Sequence, residues 1–294
     1  MKISVIIPHK NDETSLEICL ELLAKQSLLP AEIIVVDNNS KAPNEVRRVC
    51  EKYGAILIDC PEGGSYMARN RGIKSTKADL LIFTDADCRP CPVFVESYKR
   101  WSSSNDRLIA AGPVDAFSNS RIPNGWECLD IDSGYPQRRY VQSGVAMTAN
   151  LSVKRQGIER FGEFDGTLFS GGDFEFSGRI ARNSGGIDWV REAIVEHPAR
   201  SNRADAVERM KRTYQGVAET RVNNGLSPVP FRTWFLLLFP PVARIPRINR
   251  IPGVTVGAIL QAFVYACYLR VVLFCFLLSV RRHGAARRLA GRYK

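Results

Sequence analysis

No glycine follows the first apolar run of this chain. Ile3-Ser4-Val5-Ile6-Ile7 stops at Pro8-His9-Lys10-Asn11, whereas a dinucleotide-binding turn needs G-x-G-x-x-G there and a nucleotidyltransferase a Gly-rich, basic phosphate loop. A dehydrogenase is thereby excluded, and a nucleotidyltransferase survives only as an alternative. Aromatic and basic residues are not interleaved in the way that stacks nucleic-acid bases, so no nucleic-acid partner is expected. Cysteine occurs eight times, yet Cys88-Arg89-Pro90-Cys91 has no second pair with which to build a zinc site, and its spacing is read as chance. The first strand is predicted to begin almost at Met1, so no secretory leader is expected and the eight thiols fit a reducing compartment.

What is present is an alternation. Ile3–Ile7, Ile33-Ile34-Val35-Val36 and Ala55-Ile56-Leu57-Ile58 are short apolar runs closed by Pro8, Asp37-Asn38-Asn39-Ser40 and Asp59-Cys60-Pro61. Leu16, Cys19, Leu20 and Leu23 form a helical stripe between the first two, with Asn11, Asp12 or Thr14 as its cap, and Val46, Val49 and Cys50 form another. Continuous apolar strands alternating with helices predict an α/β fold whose mainly parallel sheet is covered on both faces. At 294 residues and 45% hydrophobic content, the chain can hold one such core and an appendage.

A further apolar run, Leu80-Leu81-Ile82-Phe83-Thr84, ends on Asp85-Ala86-Asp87. Alternate residues of an extended chain point the same way, so both carboxylates converge beyond the strand's carboxyl end. Two uncompensated charges there are costly unless a cation shares them, and Mg²⁺ or Mn²⁺ takes one or two carboxylates and completes its shell with water and diphosphate oxygens. A bare D-x-D also suits a solvated turn, so context decides. Pro8–Asn11, Asp37 and Asp85–Asp87 are all predicted at one sheet edge, where open α/β sheets bind ligands.

In order, Ser4–Asn11, Glu32–Ser40, Ala68-Arg69-Asn70-Arg71-Gly72-Ile73, Phe83–Asp87 and Ser170-Gly171-Gly172-Asp173-Phe174-Glu175 resemble the motifs of family 2 glycosyltransferases. The resemblance spans roughly the first two hundred residues. It implies the GT-A fold, a Rossmann-like mixed and mainly parallel sheet with helices on both faces. It also implies a nucleotide-sugar donor, a divalent metal and inversion at the anomeric carbon. By position, Pro8, His9, Asp37, Arg69 and Asp85 would bind the donor, with Asp37 on the uracil ring, Arg69 near base and phosphates and Asp85 on the ribose. Asp87, with Asp85, would hold the metal, and Asp173 would be the catalytic base. Inverting transfer independently needs a carboxylate to deprotonate the acceptor hydroxyl across the site from the metal. From the residues alone, Asp173 also reads as the N-cap of a helix, after Gly171-Gly172 and ahead of Glu175, Phe176 and Ile180, and both roles can hold together. Two departures stand out: Gly172 occupies the place of a usual acidic residue, for which Glu175 could substitute, and His9 that of a small or hydroxylated one. His197, closing Val195-Glu196-His197-Pro198, is a candidate metal or phosphate contact or a structural histidine. Asp115–Tyr140, without clear periodicity, is expected to be an acceptor-side loop.

Charge divides unevenly. Residues 199–294 hold 17 Lys or Arg against three Asp or Glu, a net of +14, which leaves −3 for residues 1–198 of a chain at +11. Phe231–Val242 carries Trp234-Phe235-Leu236-Leu237-Leu238-Phe239, and Val254–Val280 has one charge, Arg270, in 27 residues. Basic and apolar together point to an anionic membrane. Fifteen Val, Ile, Leu or Phe at about −0.3 to −0.6 kcal/mol each outweigh about +3 kcal/mol for Arg270, so a crossing is energetically allowed. Arginines on both flanks, Arg244, Arg247 and Arg250 before and Arg281, Arg282, Arg287, Arg288, Arg292 with Lys294 after, favour helices lying in the inner leaflet instead. A core helix packed on the catalytic domain stays open. The expected organisation is a GT-A domain over 1–200 and a membrane-association region over 201–294, at the cytoplasmic face of the cell (inner) membrane, peripheral or monotopic, with a single span as alternative. The expected enzyme is a metal-dependent, hexosyltransferase-like glycosyltransferase. It would move a sugar, UDP-linked, to a lipid-linked, saccharide or other membrane-proximal acceptor, as in surface polysaccharide or glycolipid synthesis. A non-catalytic, membrane-bound adaptor with a degenerate transferase domain is the second alternative.

Overall fold

A computed structural model describes residues 1–168, 170–223, 226–227, 229–237 and 239–290. The first half alternates strand and helix: β1 (Ile3–His9), α1 (Glu13–Ala24), β2 (Glu32–Asp37), α2 (Pro43–Lys52), β3 (Ile56–Asp59), α3 (Ser65–Ser75) and β4 (Leu80–Thr84). Asp12 is the cap of α1, its side chain accepting from the Ser15 amide at 3.2 Å. β1 and β4 are buried along almost their whole length, as strands covered on both faces must be. Then come β5 (Arg89–Pro90), α4 (Phe94–Ser104), β6 (Ile109–Ala111), β7 (Val114–Phe117), α5 (Gly125–Ser133), α6 (Gln137–Gln142), β8 (Asn150–Lys154), α7 (Arg155–Phe161), α8 (Gly172–Ser184), β9 (Asp188–Trp189) and β10 (Val195–Pro198).

Seven strands form one sheet in the order β3-β2-β1-β4-β8-β6-β9. β1 runs parallel to β2 and β4, and β2 to β3; β8 lies antiparallel to β4 and β6, which makes the sheet mixed but mainly parallel. Register does the functional work. His9 pairs with Asp37 and Asp37 with Asp59, so the polar residues that close these strands share one edge. One apolar cluster, with Leu16, Leu20, Val35 and Tyr98, covers one face; the other, with Ile34, Phe83, Phe164 and Phe176, covers the opposite face. Gly72 lets α3 lie directly on β1, because a Cβ there would stand 2.5 Å from Ile6 Cγ2. A short second sheet, β5-β10-β7, carries His197 on β10.

The chain divides into two compact units, Met1–Asp115 with Tyr135–His197, and Ala116–Gly134 with Pro198–Lys294. The second is helical: α5, α9 (Arg203–Asn223), α10 (Phe231–Leu237), a 3₁₀ turn (Val242–Arg244), α11 (Ile245–Ile248) and α12 (Val256–Ala290). The expectation of a loop over Asp115–Tyr140 is corrected by α5 and α6. Asn124 and Glu127 form a capping box at the start of α5, which satisfies its first amides. Its apolar residues then pack on α12, where Trp126 stacks on Tyr265 with ring centroids 4.2 Å apart. Within α12, Val256–Ser279 is long and apolar enough to cross a membrane. Arg292 and Lys294 of the predicted basic flank, and Leu238 of the earlier apolar run, lie outside the described residues.

Candidate active site

Beyond the end of β4, the Cys88 amide donates to the Asp85 carbonyl at 3.1 Å and closes a tight turn. Asp85, Asp87, Cys88 and His197 are gathered there, one ligand atom of each lying within 4.8 Å of all the others. The convergence predicted for the two carboxylates is therefore present, and β10 brings His197 to them across more than a hundred residues of sequence. His197 Nε2 stands 3.4 Å from Asp87 Oδ2, and its Nδ1 is 3.0 Å from the Tyr135 hydroxyl, which fixes the ring. Two carboxylates and one imidazole suit Mg²⁺ or Mn²⁺. The Cys88 thiol is a soft donor that such hard cations do not favour, and burial, then Asp85 and Asp87, push its pKa well up. The donor set thus fits a hard or borderline divalent cation.

Arg69 extends the site along α3. Its guanidinium is nearly buried and donates to Asp85 Oδ1 at 2.6 Å and to the Ser65 carbonyl at 3.4 Å, while its buried Nε has no hydrogen-bond partner. The following Asn70 is structural: it holds the Phe164 backbone through both its amide atoms, at 2.8 and 2.9 Å.

The ends of β1 and β2 supply the neighbouring wall. Asp37 is buried and accepts from the Ser40 hydroxyl at 2.5 Å and its amide at 3.3 Å, so its carboxylate is held in place. Pro8, paired in register with Val36, brings the chain to this edge without a donor of its own. His9 is buried with neither ring nitrogen hydrogen-bonded, its Nε2 3.8 Å from Glu13 Oε1, an oxygen that is also unpartnered. Burial lowers the His9 pKa against the opposing pull of Asp37, Glu13 and Asp12, so the ring is neutral. A buried neutral ring with both nitrogens unpaired beside Asp37 is a polar group left without a partner inside the fold.

Asp173 lies in the first turn of α8, and the N-cap is Gly171 in the left-handed conformation, with no side-chain cap; the capping role read for Asp173 is corrected accordingly. That frees the carboxylate, whose oxygen Oδ1 accepts from the Tyr66 hydroxyl at 3.5 Å. Part of its surface is accessible, but it sits deep in the unit, and desolvation raises its pKa while the Arg69 charge works against the rise. Tyr66 also accounts for Gly172. A Cβ at that position would stand 2.6 to 2.8 Å from three ring carbons of Tyr66, so no side chain fits before Asp173. Glu175, the candidate substitute for the missing carboxylate, is held by Arg179 through a two-pronged pair at 2.7 and 3.0 Å. Reading the sequence singled out neither Tyr66 nor Tyr135 as a partner of a site residue, because each reaches it from a segment whose distance only the tertiary fold removes.

This edge of the sheet therefore carries a divalent-cation position with an arginine on one of its carboxylates, a locked carboxylate and a buried neutral imidazole at the strand ends, and a carboxylate of raised pKa. Comparison with known proteins adds a family. The model of the family described as Glycosyl transferase family 2 matches residues 4–159. Glycosyltransferase AglE of Haloferax volcanii is 28% identical over 213 residues, which cover 67% of this chain and 67% of that one. Two solved structures share the fold. The mannosyltransferase PcManGT from Pyrobaculum calidifontis, in complex with GDP-Man and Mn²⁺, superposes with a TM-score of 0.55 at 19% identity, over 98% of this chain and 80% of that one. TarS of S. aureus, in complex with UDP-GlcNAc, superposes with a TM-score of 0.54 at 16% identity, over 74% of this chain and 66% of that one. The chain thus spans about two thirds of the length of AglE and of the TarS chain.

Proposed function

The chain belongs to glycosyl transferase family 2, and on that premise we propose that it moves a sugar, with inversion, from a UDP-sugar to the hydroxyl of a lipid-linked or membrane-proximal acceptor. The observation that carries the reading is the gathering of Asp85, Asp87 and His197 beside Arg69, at the sheet edge where Asp37 also lies. Asp85, Asp87 and His197 would hold Mn²⁺ or Mg²⁺. When bound, the cation neutralises charge that develops on the departing diphosphate. Asp37, with His9 and the Pro8 turn, takes the base; Arg69, fixed by Asp85, faces the phosphates.

Asp173 takes the proton. The acceptor oxygen forms its bond to the anomeric carbon as the bond to the diphosphate breaks on the opposite side, and the hydroxyl proton passes to the Asp173 carboxylate. Desolvation, which raises its pKa, makes Asp173 a stronger base than a solvated aspartate. Tyr66 steadies that carboxylate while its ring excludes a side chain at Gly172. Residues 1–200 carry this chemistry, and residues 201–294, basic and apolar, hold the enzyme at the cytoplasmic face of an anionic membrane. The test is release of nucleotide from a panel of UDP-sugars and GDP-mannose by the full chain, read by mass spectrometry with and without Mn²⁺. Cation-dependent UDP release from at least one UDP-sugar is expected. Release of GDP alone would move the base assignment at Asp37, and no release from any donor would overturn the enzymatic reading.

A further inference from the structure

One long face of α12 is packed and the opposite one is bare. Ala258, Ala262 and Ala266 are buried against Cys128, Leu129 and Ile248, and Leu273 and Leu277 against Val229, with Met210, Tyr214 and Trp234 beside them. Val256, Leu260, Val264, Val271, Phe274 and Leu278 are exposed. Their three-, four- and seven-residue intervals place them on a single stripe at ~100° per residue. A helix that crosses a bilayer alone is wrapped by lipid on every side, whereas the partners of α12 bring charge with them. α5 carries Asp130, paired with Arg200 at 3.3 Å and with Arg209, and it also carries Asp132. A crossing would draw these ion pairs into hydrocarbon.

Asp132 marks a second feature of the same unit. Its side chain is wholly buried, and its carboxylate accepts from Arg244 at 3.1 Å and from both prongs of Arg247 at 2.7 and 3.2 Å. Arg270, on the flank of the bare stripe, donates to the Phe239 carbonyl. Burial holds the Arg244 guanidinium below its ordinary pKa, against the pull of Asp132, and the charges of Arg247 and Arg270 add to the lowering. Around these arginines, Phe239, Val242 and Ile245 are exposed. Cationic forks set in apolar surface match one kind of ligand, an anionic oxygen cluster attached to hydrocarbon.

We infer that the helical unit lies in the plane of an anionic phospholipid surface, with the bare stripe of α12 among the acyl chains and a lipid phosphate held by Arg244, Arg247 and Arg270. The inference rests on the membrane reading above and gives it a face and a ligand. The net charge of +14 over residues 199–294 supplies the attraction, and the stripe supplies the part of binding that salt does not screen.

Depth along α12 tests the orientation. Spin labels on Val256→Cys, Val264→Cys, Val271→Cys and Leu278→Cys, each in the full chain with Cys275→Ser, should report one common depth of about 5–10 Å below the phosphates of phosphatidylcholine–phosphatidylglycerol vesicles. A depth that rises to the bilayer centre and falls again would establish a crossing and overturn the inference. The phosphate site is tested by Arg247→Gln with Arg270→Gln, which leaves Arg244 on Asp132. Partition onto the anionic vesicles should fall roughly 25-fold, about fivefold for each of the two arginines, while partition onto pure phosphatidylcholine stays unchanged. Lysine at both positions should recover only part of the loss; full recovery would reduce the site to diffuse charge and overturn it. Inorganic phosphate in excess should leave the chain on the vesicles, and displacement would make the ligand a soluble anion instead. Nucleotide release from UDP-sugar without vesicles is independent of all these variants, so a failure here is distinguishable from a failure of the transferase reading.

Discussion

The two units invert each other's use of charge. In the first, apolar residues are buried on both faces of the sheet, and Asp85, Asp87 and Asp173 keep part of their surface at the crevice. In the second, the carboxylates of Asp130 and Asp132 are buried beneath arginines while Val256 is 74% exposed and Phe231 84%. Burying apolar surface stabilises a fold in water; leaving it out while charges are neutralised inside suits a molecule whose surroundings are only partly aqueous. The contrast is the one expected if, as proposed above, chemistry belongs to a unit facing water and placement to one facing lipid.

The largest effect that would sharpen this division is expected at Asp173. Asp173→Asn preserves shape but cannot accept a proton, so kcat should fall by roughly 10² to 10⁴ with donor affinity nearly unchanged. A variant that keeps wild-type turnover would leave Asp173 no role in transfer. The wild-type pH profile bears on the same residue. The base works deprotonated and desolvation raises its pKa, so activity should be lost as pH falls through a value above that of an ordinary aspartate, and the limb should vanish in the asparagine variant.

A smaller change is expected one step behind the cation position. Tyr135→Phe removes the hydroxyl that faces His197 Nδ1 and should weaken Mn²⁺ binding about tenfold, measured directly by calorimetry without substrate. An unaltered affinity would confine Tyr135 to packing.

Much of this arrangement is legible in the residues, and what is not has a physical cause. Ile3–Ile7 and Leu80–Thr84 are continuous apolar runs ended by polar clusters, so strand type, burial and the ligand edge follow locally. Asp85 and Asp87 do converge, but through the tight turn that the Cys88 amide closes on the Asp85 carbonyl rather than through the two-residue period of an extended chain. β8 is different: Asn150–Lys154 enters antiparallel between β4 and β6, and nothing in its own pattern states a direction. α5 escapes a reading by periodicity because its apolar residues, Trp126, Cys128 and Leu129, face a helix that begins more than a hundred residues later. Its capping box at Asn124 and Glu127 is the local signal that could have revealed it. Gly172 is legible as a departure, but its cause, the ring of Tyr66, is tertiary.

The helical unit offers the smallest of these effects. Trp126→Ala removes the ring stacked on Tyr265 and should cost about 2–3 kcal/mol of stability, toward the low end for a large aromatic because Trp126 is only half-buried. Denaturant unfolding should show the loss, with Mn²⁺-linked nucleotide binding intact. Loss of nucleotide binding in step with it would dissolve the distinction between the two units.

The central claim is that one crevice at the carboxyl edge of the sheet binds nucleoside diphosphate and cation together through Asp87. Calorimetric titration of UDP into the wild-type chain and into Asp87→Ala, each with and without Mn²⁺, tests it most directly. Wild-type affinity should rise strongly with Mn²⁺, and the variant should show no cation-dependent gain although it remains folded, since removing one of two neighbouring carboxylates also relieves their repulsion. Equal Mn²⁺-linked UDP affinity in the two proteins would contradict the account.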